Sequence, residues 1–98
     1  MSEIFEKQKE KQKIKPPQMW NVIMLNDDFT TFEFVMACLI QIFNKSEQQA
    51  FIITQQIHES GKGVVGQYPK DIAETKKEFA MAFARQEEHP LNVSIEQA

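Results

Sequence analysis

Large apolar side chains become frequent in this chain only after the step Lys15-Pro16-Pro17. Before it, lysine, glutamate and glutamine surround Ile4, Phe5 and Ile14, too few apolar groups to anchor a core helix. The two prolines then disfavour helix and donate no ladder hydrogen bond. The pattern predicts a flexible N-terminal extension over residues 1–16 and a core domain over residues 17–98. The β-prone run Met19 to Leu25 predicts a strand that runs into the polar triplet Asn26-Asp27-Asp28. A helix is expected from Thr31 to about Phe43, with Phe32, Val35, Met36, Leu39, Ile40 and Phe43 recurring at three- and four-residue spacing. Phe34, Ala37 and Ile42 widen its apolar arc. Thr30 and Glu33 fit a capping box, and Phe29 and Phe34 fit a hydrophobic staple, so the helix start is specified without the triplet.

Ser46 and Gln49 fit a second capping box, opening a helix with Ala50, Ile53, Thr54 and Ile57 on one stripe, His58 in its last turn and Gly61 as its stop. "KGVVGQY", residues 62–68, reads as a short strand loosened by two glycines. Pro69 introduces a third helix, Lys70 to Gln86, whose core stripe is expected to be Ile72, Phe79, Ala80 and Phe83. Beyond the breaker Pro90, Leu91, Val93 and Ile95 alternate with polar residues, as in a half-solvated strand. The order β-α-α-β-α-β predicts an α+β fold, a two-layer sandwich of a three-stranded antiparallel sheet with three helices on one face.

At 98 residues and 42% apolar content the chain suits one small domain with a single core. One cysteine, Cys38, within an apolar helical run, leaves no disulfide framework or cysteine cluster and suits a reducing compartment. Without an 18-residue apolar run or a signal-peptide pattern, a soluble cytoplasmic protein is expected, with no membrane partner. Charge is uneven. Residues 1–15 have five lysines against three glutamates, whereas the rest has six basic residues against eleven acidic ones. An acidic body repels phosphate, so nucleic acid is an improbable partner.

Catalysis finds little support. Asp27 and Asp28 are sequence neighbours that rarely converge on one atom, and no nucleophile, phosphate loop or HExxH accompanies them. His58, His89 and the carboxylates lack metal-ligand spacing, so neither a metal nor another cofactor is expected. A solvated turn that favours the positive end of the first helix accounts for the triplet. His58 is likewise favoured at a helix C-terminus by the dipole. Both lie beside apolar residues, however: Leu25 before the triplet, Phe32 and Val35 after it, Thr54 and Ile57 before the histidine. Polar acceptors bordering an apolar pocket are a binding-site pattern. Carboxylate, amide oxygen and neutral imidazole suit a primary ammonium, and the apolar wall suits a hydrophobic side chain; a peptide's N-terminal residue has both.

"PPQMWNVIMLNDDFTTFEFV", "IHESGKGVVG", "DIAETKKEFA" and "ARQEEHPL" resemble the ClpS family, adaptors that present proteins with destabilising N-terminal residues to the Clp protease. The resemblance covers Pro16 to Ala98. It implies a non-enzymatic adaptor in which Asn26, Asp28 and His58 hold the α-amino group and Asp27 shapes the same corner. It further implies a side-chain pocket of Leu25, Thr30, Phe32, Val35, Thr54, Ile57 and Leu91. Lys76, Asp71 and Glu74 would meet the N-terminal domain of a ClpA-like AAA+ unfoldase, and the extension would help hand substrate over. Substrates would begin with Leu, Phe, Tyr or Trp, and the adaptor would be a monomer. Phe32 and Thr54 stand where the family usually has methionine, and Thr31 where proline is common. A stiff phenylalanine in place of a flexible thioether predicts a narrowed preference, with Trp or Leu the side chain that loses. An alternative is a divergent paralogue that mainly regulates the unfoldase, with Phe32 partly filling the pocket.

Overall fold

The computed structural model describes residues 16–98; the expected extension, apart from Pro16, lies outside the described residues. Strand β1 (Met19–Leu25) is followed by helices α1 (Phe32–Gln41) and α2 (Glu47–Ser60), strand β2 (Lys62–Pro69), helix α3 (Lys70–Gln86) and strand β3 (Asn92–Gln97). The sheet order is β2-β1-β3, and both pairings are antiparallel. Helices pack on one face, as the order of elements implied. The core joins Val22 and Met24 of β1, Val65 of β2 and Val93 of β3 to Val35, Cys38 and Leu39 of α1, Ala50 and Ile57 of α2, and Ala73, Ala80 and Ala84 of α3. Cys38 is wholly enclosed there, and burial pushes its thiol up to about 12, which leaves it protonated and unreactive.

The β1–β2 register shifts between Val22 and Ile23, so that Val65 is an extra residue on β2. Gly63 lies just before this bulge, paired with Met24. A Cβ there would come within 2.8 Å of Ile57 Cγ1, so only glycine lets α2 lie this close to the strand. The expected capping box of Ser46 and Gln49 is formed, and Gly61 ends α2 with a φ of +89°.

Two expectations need correction. Helix α1 is capped by Thr31, whose side-chain oxygen accepts from Phe34 N at 3.1 Å, not by Thr30. The Thr30 hydroxyl instead donates to Asp27 Oδ2 at 2.6 Å, so the triplet does take part in starting the helix. Phe29, 78% exposed, forms no staple, and α1 stops at Gln41, short of Phe43. The core stripe of α3 is displaced in part, since of the expected residues Ala80 is buried and Phe83 packs against the core but Ile72 and Phe79 do not. Ala73, Ala80 and Ala84 are buried while Ile72 and Phe79 are 44% and 62% exposed. A small-residue face lets α3 settle close on the sheet, and bulk alone misjudged which side that is.

Candidate functional site

The triplet is a shaped corner. Asp27 Oδ1 accepts from the backbone amides of Phe29 (2.9 Å) and Thr30 (2.6 Å), while Oδ2 takes the Thr30 hydroxyl. Burial works to raise the Asp27 pKa, but the Thr30 side chain, the two amides and the nearby His89 outweigh it, and the net shift is downward. Asp27 is thus held ionised and inward, while Asn26 and Asp28 on either side of it are exposed.

Asn26 N donates to Gly61 O at 2.8 Å. Because Gly61 is the C-cap of α2, this bond fixes the corner against the helix end that carries His58, which is exposed. The pairing of Leu25 with Lys62 and Asn92 ties the same end of β1 to the starts of β2 and β3. Carboxylate, amide and imidazole groups therefore stand on neighbouring segments facing solvent, and a ligand with several hydrogen-bond donors suits them.

The expected apolar residues differ in burial. Val35, Ile57 and Leu91 belong to one buried cluster, whereas Leu25, Thr30 and Phe32 are half-buried. Thr54 is enclosed, and its hydroxyl donates back to Ala50 O at 2.6 Å. The Phe32 ring meets that of Phe51 edge to face, with centroids 5.5 Å apart. Phe51, with Met36, Glu47, Gln48 and Ile52, lines an open cleft of about 650 Å³ along α1 and α2. Sequence reasoning passed over Phe51. The signal available was its place three residues before Thr54 on the same side of α2.

His89 is stacked on Phe34, with ring centroids 4.3 Å apart, and was not expected to take part in the corner. On α3, Asp71 and Glu74 are exposed, but Lys76 is half-buried. Its ammonium donates to Ile42 O at 2.7 Å and lies 6.0 Å and 5.5 Å from the ring centroids of Phe43 and Tyr68. Among the described residues no group of three His, Cys, Asp or Glu could hold a metal ion, and no helix is long and apolar enough to cross a membrane.

The described residues form an α+β domain with a polar, solvent-facing corner at the junction of β1 and α1. The family model for the ATP-dependent Clp protease adaptor protein ClpS matches residues 15–94. Among curated relatives, the ClpS adapter protein of Nitrosospira multiformis is 48% identical over 87 residues, spanning 89% of this chain and 85% of its own. That of Herminiimonas arsenicoxydans is 45% identical over 89 residues, spanning 91% and 87%. A solved structure of Agrobacterium tumefaciens ClpS2 bound to L-phenylalaninamide superposes with a TM-score of 0.81 at 34% identity, covering 85% of this chain and all of that one. The chain belongs to the ClpS family of Clp protease adaptors.

Proposed function

We propose that this adaptor binds the N-terminal residue of N-degron proteins and delivers them to a ClpA-like AAA+ unfoldase, acting as a cytoplasmic monomer without catalysis or cofactor. Asn26, Asp28 and His58 receive the α-ammonium, Asp27 holds the corner they stand on, and the bulky side chain enters among Leu25, Thr30, Phe32, Val35, Thr54, Ile57 and Leu91. The observation that carries this reading is the Asn26–Gly61 bond, which joins the triplet to the His58 end of α2, while Val35, Ile57 and Leu91 share one buried cluster. The ligand of the Agrobacterium relative has the required chemistry, a free amine next to a benzyl side chain.

Burying one large side chain contributes roughly 1.5–3 kcal/mol and each charge-assisted hydrogen bond roughly 1.5–3, before the cost of association, which makes micromolar affinity reasonable. Asp71, Glu74 and Lys76 contact the unfoldase. Exposed Ile72 and Phe79 on the same helix support a docking face there.

The enclosure of Val35, Thr54, Ile57 and Leu91 favours a second reading, a paralogue that chiefly regulates the unfoldase. Fluorescence anisotropy with peptides beginning in free Leu, Phe, Tyr, Trp or Ala separates the two. N-degron recognition requires micromolar binding of large residues, lost on Asp28→Ala, on His58→Ala and by more than tenfold on acetylating the amine. No binding to any peptide would leave the regulatory reading.

A further inference from the structure

Phe51 is half-exposed, contributes little to the core, and meets Phe32 at the first residue of α1. A lone phenylalanine on the first turn of a helix can exchange between staggered rotamers. The edge-to-face contact, with planes inclined by 62°, selects one of them. Thr54, on the same side of α2, cannot compensate, because its hydroxyl is bonded to Ala50 O. One rim of the binding site is therefore an aromatic pair spanning two helices.

On the reading given above, we propose that Phe51 is a specificity-determining positioning residue: by fixing the Phe32 ring it makes the site prefer a flat aromatic N-terminal side chain to a branched aliphatic one. A fixed ring can meet another ring in an offset or tilted arrangement. Leucine offers no such match. Released from Phe51, Phe32 can turn aside and admit both, so the difference between them shrinks.

Anisotropy titrations of N-terminal Phe and Leu peptides against the full chain and its Phe51→Ala and Phe51→Tyr forms test this. The native protein should prefer Phe, Phe51→Ala should reduce the Phe-to-Leu affinity ratio by about threefold to tenfold, and Phe51→Tyr should keep it. In a Phe32→Ala background, Phe51→Ala should change the ratio no further. Phe51 is exposed and alanine favours helix, so the variant should fold, which circular dichroism melting checks. An unchanged ratio, or equal loss of both affinities, overturns the role of Phe51 while leaving N-degron recognition intact. Failure of the native protein to bind either peptide overturns both.

Discussion

Asp27 does a different job from the two residues beside it. Asn26 and Asp28 face solvent, whereas the Asp27 carboxylate takes three hydrogen bonds from Phe29 and Thr30 and sets the path of the chain into α1. Because its folded pKa is depressed, Asp27 stabilises the fold above the unfolded carboxylate value of about 4, and that contribution disappears as the pH falls through the folded value. Asp27→Asn keeps the shape but removes the charge. It should lower stability by about 1–2 kcal/mol at pH 7, a figure reduced for a half-exposed site. Urea melts at pH 7 and pH 3 should show the gap between the two proteins narrowing at the lower pH.

Between α3 and β3 the chain turns by a Schellman motif. Glu88 N bonds Arg85 O at 3.1 Å and His89 N bonds Ala84 O at 2.7 Å, with Glu88 at a φ of +63°. Arg85 Nη1 then donates to both His89 O and Leu91 O at 2.9 Å, which holds His89 near Phe34 and delivers Leu91 to the core. A non-glycine residue in the left-handed region costs roughly 1–2 kcal/mol. Glu88→Gly should relieve part of that and raise the melting temperature by a few degrees in calorimetry. Local pattern does not announce this turn, because glutamate rarely takes a left-handed conformation at a helix end; at Gly61, where a glycine takes it, the stop of α2 is legible directly in the chain.

Across the whole molecule, Lys76 links three elements. It sits on α3, donates to the carbonyl of Ile42, the residue that follows α1, and lies over Phe43 and Tyr68, the latter on β2. Lys76→Met retains the aliphatic stem but removes the ammonium, and should cost about 1–2 kcal/mol in a urea melt. Glu74→Ala, at an exposed position, should leave the melt unchanged. If α3 docks the unfoldase, weaker binding by the Glu74 variant reports lost contact alone, whereas the Lys76 variant combines lost contact with a loosened α1–α3 junction.

Strand and helix order, the Ser46 cap, the Gly61 stop and the single-sided sheet follow from local patterns: alternation in β3, hydroxyl-x-x-Gln before α2, proline before α3. Such signals lie within a few residues of one another, so the chain alone carries them. Spacing favours Thr30, three residues before Glu33, but Asp27 decides otherwise: its carboxylate takes the Thr30 hydroxyl and Thr31 caps the helix. The buried side of α3 is open in the sequence, because Ile72 and Phe79 outweigh Ala73, Ala80 and Ala84 in hydrophobicity. Close packing on the sheet selects the smaller face. The residue types of a site for an ammonium and an apolar group are legible in the sequence, but the Asn26–Gly61 link and the Phe32–Phe51 pair join residues 35 and 19 positions apart. Only the folded chain decides such contacts, since they depend on where whole elements pack rather than on what neighbouring residues prefer.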